Sequence, residues 1–472
     1  MKVEQIYTGC LAQGAYYIQS EGEVAIIDPL RETNSYIEKA KNDNSKIKYI
    51  FETHFHADFV SGHLDLHKST NATIIFGENA APEFPAHIAK DGEEFKVGKL
   101  TIKALHTPGH TMESTCYLLK DENGKDFAIF TGDTLFIGDV GRPDLAVKSH
   151  LTKEDLAAHL YDSLHNKIMP LADDVIVYPA HGAGSACGKN MSKETFDTLG
   201  HQKQVNYALK AATKEIFIKE VTEGLLPPPF YFPKNVMLNK QGYETLETVM
   251  KRGLHEFTAA EFEVAAEETH AIIIDTRQAQ TFKDGFVPRS INIGLKGDFA
   301  PWVGTLITDI KQSILLVCDA GTEQEVLTRL SRVGYDNTLG YLKGGFETWK
   351  QSGKDFDTVV SISAEEFAKT LETNKLENKL TIVDVRKPTE FEAEHLQDAE
   401  NTPLQYLNDY MATLSSDTTK YVHCAGGYRS MIAVSILKAR GIHNLVEIAG
   451  GFSAISKTNA PKTSFVCPST LK

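Results

Sequence analysis

The carboxy-terminal half of this 472-residue chain is written twice. Ile272-Ile273-Ile274-Asp275-Thr276-Arg277 corresponds to Thr381-Ile382-Val383-Asp384-Val385-Arg386, Cys318 to Cys424, and Gly344-Gly345-Phe346 to Gly450-Gly451-Phe452. The two cysteines stand 106 residues apart, and so do the two glycine pairs. Separated landmarks that keep register mark a duplicated structural unit. Each copy is about a hundred residues of alternating strand-like and helical runs, which is enough for a small α/β domain.

Residues 1 to about 220 also alternate apolar β-branched runs with helical ones. Val24–Ile27, Ile47–Phe51, Ala72–Phe76, Leu100–Leu105, Thr115–Leu119, Phe127–Phe130 and Val175–Tyr178 are expected as strands, and Lys193–Lys219 as one long or broken helix. Pro227-Pro228-Pro229 forbids both helix and sheet and marks a boundary. The expected division is a first domain at 1–225, a Pro-containing linker at 226–254, and the two copies at 255–358 and 359–472.

Composition removes several function classes. The net charge is −14 without any Lys/Arg run, which argues against nucleic acid or an anionic membrane as partner. No apolar run approaches the ~20 residues that span a bilayer. The start, Met1-Lys2-Val3-Glu4-Gln5, does not read as a secretory signal. Six scattered cysteines lack a disulfide-framework spacing and fit a reducing compartment, so a cytoplasmic location is expected. Cys10 and Cys116 are expected in the core, and Cys467 has no expected role.

Four separate strand ends carry His or Asp: Thr53-His54-Phe55-His56-Ala57-Asp58-Phe59, His106-Thr107-Pro108-Gly109-His110-Thr111, Thr131-Gly132-Asp133-Thr134 and Pro179-Ala180-His181-Gly182. Open sheets gather their ligands at strand ends, and a lone histidine is an ordinary core or surface residue, as expected for His63, His67, His87 and His159. Four such elements together read as a metal site. A site with His and carboxylate ligands and open positions suits O2 chemistry on iron as well as hydrolysis on zinc.

This motif set resembles the metallo-β-lactamase superfamily. The resemblance implies an N-terminal αββα sandwich, here followed by the two duplicated α/β domains, in an α/β and α+β multidomain chain. Dinuclear members place a histidine where this chain has Phe59, and a phenyl ring cannot ligate, so one metal is expected. With Gly138-Asp139-Val140-Gly141-Arg142-Pro143-Asp144, the pattern is most similar to the persulfide dioxygenase branch. That similarity implies one Fe(II) held by His54, His110 and Asp133, with His56, Asp58 and His181 orienting the groups around it, and Arg142 helping to hold a thiol substrate. In a zinc hydrolase His56 would itself be a ligand. Cys187, close after His181, is read either as a small buried residue or as a thiol lining the entrance, able to bind substrate sulfur.

The second copy puts Cys424 in His423-Cys424-Ala425-Gly426-Gly427-Tyr428-Arg429-Ser430, between a strand and a helix expected at Met431–Ala439. A Gly-rich loop opening a helix turns backbone N–H groups inward and favours a thiolate. With the Asp384-Val385-Arg386 and Gly450-Gly451-Phe452 elements it resembles a rhodanese, which implies Cys424 as sulfur carrier, Arg429 as anion-stabilising residue, and Gly426 and Gly427 as the substrate cradle. The first copy has Glu323 in place of arginine and Asp319 beside Cys318, and is expected to be non-catalytic.

The resemblances together imply oxidation of a low-molecular-weight thiol persulfide (glutathione, coenzyme A or bacillithiol as the thiol) with O2 to sulfite and free thiol. Sulfur transfer through Cys424 would form or use thiosulfate, as in sulfide detoxification. A homo-oligomer is expected. The alternative is a zinc thioesterase of the glyoxalase II kind fused to a sulfurtransferase.

Overall fold

The computed structural model describes residues 1–147, 150–374, 380–414 and 417–467. The chain divides into two compact units, one of residues 1–248 with 330–336, the other of 249–329 with 337–472.

Two six-stranded sheets build the first unit. One runs in chain order, β1 (Lys2–Thr8), β2 (Gln13–Ser20), β3 (Glu23–Ile27), β4 (Lys46–Phe51), β5 (Thr73–Phe76) and β6 (His87–Ile88). The other runs in reverse, from β12 (Asp197–Thr198) through β11 (Ile176–Pro179), β10 (Asp126–Gly132), β9 (Thr115–Lys120) and β8 (Leu100–His106) to β7 (Glu94–Val97). All seven expected strands are present. The strand β1 escaped notice because Lys2, Glu4 and Gln5 interrupt its apolar residues, and β2 was not anticipated although it carries the apolar run Ala15–Ile18.

Period-two alternation assigns the layers. Along β2, Tyr16 and Ile18 face a core shared with Ile102, Tyr117, Leu119 and Phe130 of the other sheet. Ala15 and Tyr17 face the opposite way, toward Tyr36, Ala40 and Leu66 of the helices Asn34–Asn42 and His63–Thr70. The helix Lys153–Ser163 and the segment from Leu199 to Val221 cover the outer face of the second sheet. The result is a helix–sheet–sheet–helix sandwich.

The stretch 193–219 contains two helices, Leu199–Val205 and Lys214–Thr222, because it holds two separate caps. The Thr198 and Thr213 side chains accept from the His201 and Ile216 backbone N–H groups and start a helix each. After the three prolines, the segment read as a linker also carries helices, Phe232–Gln241 and Leu246–Gly253. Asn239 on the first of these donates to the carbonyls of His56 and Phe59, both at 2.8 Å, and accepts from Ser61 N–H at 2.9 Å. It braces the loop that bears the His-x-His-x-Asp cluster.

In the second unit the duplication is exact in topology. One sheet orders β13 (Glu256–Phe257), β17 (Thr338–Leu342), β16 (Ile314–Val317), β14 (Ile272–Asp275) and β15 (Ile291–Asn292). The other orders β18 (Val360–Ile362), β22 (Leu445–Ile448), β21 (Lys420–His423), β19 (Thr381–Asp384) and β20 (Ala399–Asn401) in the same way. All pairings in both sheets are parallel.

The repeated landmarks turn out to be one mechanical device. Asp384 grips Arg386 at 2.6–3.0 Å, and the guanidinium lies 4.1 Å from the Phe452 ring centre. Asp275, Arg277 and Phe346 repeat the arrangement at 4.6 Å. The second glycine of each pair lets the following helix approach the cysteine: a Cβ on Gly451, at φ +55°, would lie 2.4 Å from the Cys424 carbonyl oxygen. Gly451→Ala should therefore cost at least about 1–3 kcal/mol in urea unfolding. Gly426→Ala, at a position with open space around it, should stay within about 0.5 kcal/mol of the parent.

Candidate functional site

At the strand ends of the first unit the four expected elements converge. His54, His56 and Asp58 follow β4, His110 follows β8, Asp133 follows β10 and His181 follows β11. All six side chains are buried. His110 Nε2 lies 3.4 Å and His54 Nε2 3.9 Å from Asp133 Oδ2, and His181 Nε2 lies 3.5 Å from Asp133 Oδ1 and 3.4 Å from Asp58 Oδ2.

Asp133 is the key to the chemistry. Both of its carboxylate oxygens are buried without a hydrogen-bond donor. A buried carboxylate in that condition is costly unless a cation compensates it. The neighbouring imidazoles are prepared for one. His54 Nδ1 lies 3.0 Å from the Thr53 hydroxyl, and His110 Nδ1 2.9 Å from the Arg142 carbonyl, which leaves both Nε2 atoms toward Asp133. Burial, reinforced by the neighbouring histidines, pushes the His54 pKa well below its usual value, so the ring is neutral and keeps a lone pair to give. His54, His110 and Asp133 bring one ligand atom each within 4.8 Å of one another, and this donor set fits a metal ion.

His56 is handled in the opposite way. Its Nε2 lies 3.1 Å from Asp28 Oδ1 and 3.5 Å from Glu52 Oε2. Burial opposes its charged form, but Asp28, with Glu52 and Asp58, carries the pKa up to about 9. Thr53 pins Asp28 by its N–H at 2.8 Å and its hydroxyl at 2.9 Å, and the Ser61 hydroxyl donates to Glu52. Phe59 is fully buried, its ring centre 4.3 Å from that of His56. Asp28 and Glu52 were missed in the sequence, although Asp28 directly follows β3 and Glu52 directly follows β4, the same signal that identified the other site residues.

Arg142 and Cys187 were expected to contact substrate. Arg142 donates to both Asp144 oxygens at 2.6 and 2.7 Å, to Leu226 O at 2.6 Å and to Ala186 O at 3.2 Å. Its guanidinium thus ties three loops together, and its carbonyl orients His110. Cys187 is buried, with Sγ in the cluster formed with Asp133 and His181, and burial beside Asp58 and Asp133 pushes its thiol pKa well up. Cys116 is core, whereas Cys10 is only half-buried, its sulfur accepting from Arg332. His63, expected to be unremarkable, is fully buried 3.3 Å from Glu52.

The second unit presents Cys424 at the end of β21. The helix begins at Tyr428, three residues before the expected start, with Gly427 (φ +103°) as its cap. Gly427 N–H donates to Cys424 Sγ at 3.1 Å, and the sulfur lies 3.6 Å from the Ser430 hydroxyl. Arg429, expected as an anion-stabilising residue, forms a two-pronged pair with Glu390 at 2.6 and 2.8 Å. The first copy has no such loop chemistry. Cys318 is buried, and burial, with the charges of Asp275, Glu323 and Asp319 added, pushes its thiol up to about 12.

Two outcomes follow from these contrasts. Asp133→Ala should strip stoichiometric metal from the purified protein, whereas His56→Asn should retain it, as read by elemental analysis on folded samples. In a peptide-resolved alkylation time course, Cys318 should stay unmodified around pH 8 and react only as the pH approaches about 12, because only the thiolate is nucleophilic. Fast labelling of Cys318 at neutral pH would contradict the charge arrangement.

Residues 8–181 match the metallo-beta-lactamase superfamily, and residues 258–352 and 363–458 each match the rhodanese-like domain. A probable hydroxyacylglutathione hydrolase of Schizosaccharomyces pombe is 28% identical over 218 residues, spanning 41% of this chain and 80% of that protein. The mitochondrial persulfide dioxygenase ETHE1 of Homo sapiens is 28% identical over 225 residues, spanning 46% of this chain and 80% of that protein. The solved structure of a metallo-beta-lactamase from Staphylococcus aureus subsp. aureus COL is 30% identical, covers 72% of this chain and 98% of its own, and superposes with a TM-score of 0.63. With its buried His and Asp cluster at the ends of a double sheet and its duplicated α/β units, the chain belongs to the metallo-beta-lactamase superfamily and carries two rhodanese-like domains.

Proposed function

We propose that this chain is a persulfide dioxygenase coupled to a sulfurtransferase. The observation that carries the reading is Phe59. Buried against His56, it puts a hydrocarbon ring where a second metal would need a donor. His56 lies against Asp28 and Glu52, which supports His54, His110 and Asp133 as the set for one ion over the neighbouring group of His56, Asp58 and His181. Two histidines and one carboxylate with open positions are the donor set of non-haem iron oxygenases.

Fe(II) held there would supply the O2 chemistry that takes a thiol persulfide, O2 and water to the free thiol and sulfite. The protein's own residues do the rest. The Thr53 hydroxyl and the Arg142 carbonyl fix the ring orientations of His54 and His110. Asp58 and His181, beside Asp133, offer groups that hold a proton next to the reacting sulfur. Phe59 and Phe136, whose ring centres stand 6.4 and 6.2 Å from that of His181, keep water from the far side. At the other active domain, Cys424 takes a sulfane sulfur and holds it as a persulfide over the Gly427 N–H. A low-molecular-weight thiol such as glutathione, coenzyme A or bacillithiol carries the substrate sulfur, and sulfite or thiosulfate exchanges with Cys424. Tethering both sites in one chain raises the concentration of each product at the other.

Similarity to a hydroxyacylglutathione hydrolase, at the same identity as to the dioxygenase, makes zinc thioester hydrolysis the competing reading. Oxygen consumption by anaerobically prepared, Fe(II)-loaded protein decides between them. Adding glutathione persulfide should draw down O2 and release sulfite or thiosulfate, and Cys424→Ser should abolish sulfur transfer while sparing O2 uptake. Bound zinc with thioester hydrolysis and no O2 uptake would overturn the proposal.

A further inference from the structure

The cation of the Cys424 loop already has an anion. Arg429 Nη1 donates to Glu390 Oε2 at 2.6 Å and Nη2 to Oε1 at 2.8 Å, a half-buried, two-pronged pair. Glu390 lies in the first turn of the helix Pro388–Ala393, and its Oε2 also accepts from the Lys387 N–H at 3.2 Å. The carboxylate is thus fixed to its own backbone and holds the guanidinium from there. Burial opposes its charge, but Arg429, the Lys387 N–H and Arg386 keep the Glu390 pKa below the usual carboxylate range. Both partners are ionised, and the pair carries no net charge.

The groups around the pair add no surplus. Asp384 grips Arg386, and burial keeps His423 neutral. Glu447, the third residue of β22, is buried beneath the loop, where its carboxyl accepts from the Ser361 and Ser430 hydroxyls at 2.6 and 2.9 Å. An anion arriving at Cys424 therefore meets backbone N–H groups and the N-terminal end of the helix Tyr428–Ala439, while the guanidiniums of Arg429 and Arg386 are each matched by a carboxylate.

The duplication separates this pair from the frame. Counted from the aligned Asp384 and Asp275, Thr281 stands where Glu390 is, and Phe282 matches Phe391. Counted from the cysteines, Glu323 stands where Arg429 is. The first copy lacks both members of the pair and keeps the same strand order, whereas the Asp–Arg pair under a phenylalanine ring occurs in both copies. The fold does not need Glu390 opposite Arg429, so the acid is explained by what the loop binds.

We propose that Glu390 sets which sulfur donors the Cys424 loop accepts: by neutralising Arg429 it favours a donor whose reacting end carries at most one negative charge, such as a thiol persulfide, over the thiosulfate dianion. The inference rests on Cys424 being the sulfur carrier. Arg429 still has N–H groups to offer, but the attraction that a dianion would gain over a monoanion is offset by the carboxylate beside it. The transfer step is the same for either donor. The Cys424 thiolate attacks the outer sulfur, an Sγ–S bond forms as the donor S–S bond breaks, and the electron pair leaves with sulfite or with the donor thiolate. Glu390 touches neither sulfur. It is a positioning residue that acts through Arg429.

The test compares two donors that share a sulfur–sulfonyl bond and differ in charge, thiosulfate as dianion and methanethiosulfonate as monoanion. Each transfers sulfur to cyanide on the full-length, metal-loaded protein. In E390Q, which keeps the shape and removes the charge, the ratio of kcat/KM for thiosulfate to that for methanethiosulfonate should rise about tenfold at low ionic strength, through a lower KM for thiosulfate. The rise should shrink in about 1 M salt. Any effect of the substitution on Cys424 itself is common to both donors and cancels in the ratio. E390D keeps the charge and should stay within about threefold of the parent ratio. An unchanged or lower ratio in E390Q, or an equal rise in E390D, would overturn the proposal. Absence of transfer in the parent protein would instead overturn the sulfur-carrier reading. Calorimetric titration of C424A with sulfate and with methanesulfonate reads the same discrimination without transfer, and E390Q in that background should improve sulfate binding relative to methanesulfonate; no such change would also overturn the proposal.

Discussion

One buried carboxylate organises the first unit. Asp133 ends a central strand of the second sheet and has no protein donor for either oxygen. Uncompensated, it would oppose folding, because the low dielectric of the interior strengthens every unbalanced charge. Three histidines from three other strand ends surround it, and none neutralises it by a hydrogen bond. The geometry fits a cation as the missing partner, and an ion bound there would stabilise the sandwich as well.

The two histidines of the first ligand loop lie in contrasting surroundings. His54 and His56 are two residues apart and their ring centres only 4.3 Å apart, yet they occupy opposite electrostatic environments. Histidines crowd His54, while carboxylates enclose His56. Asn239, from a helix beyond the three prolines, locks the loop between them by holding the carbonyls of His56 and Phe59. The phenyl ring of Phe59 then fills the space beside His56 with hydrocarbon. Carboxylates, amide and phenyl ring all act on the same loop, where His56, Asp58 and His181 form a second group of buried donors beside His54, His110 and Asp133.

Much of this was legible in the sequence where local chemistry and chain periodicity agree. The strands of the sandwich were visible as β-branched runs, the ligand elements as His and Asp just after them, and the duplication as a fixed spacing of Cys and Gly-Gly-Phe. Side-chain partners were not legible, since they depend on residues distant in the chain. The carboxylate partners of Arg142 and Arg429, Asp144 and Glu390, were not identified. Asn239 lies in a stretch that composition marked as a connection. Glu447 reads as an ordinary strand residue until both faces of a parallel sheet are seen to be covered, which leaves an acid there no exposed face.

The duplicated domains keep one frame around two different cysteine environments. The Asp–Arg pair under a phenylalanine ring and the glycine that admits the cysteine carbonyl occur in both copies, because they hold the strand, loop and helix together whatever the loop does. What differs is charge around the sulfur. In one copy a backbone N–H and a hydroxyl meet Cys424; in the other Asp319, Glu323 and Asp275 surround Cys318 and disfavour the anion it would need to form. The first copy still has a structural use. Tyr428, inside the active loop, donates to the Gly294 carbonyl at 2.8 Å, and its ring lies so close to Gly297 that a Cβ there would approach to 2.6 Å. The first copy thus braces the loop of the second from the side.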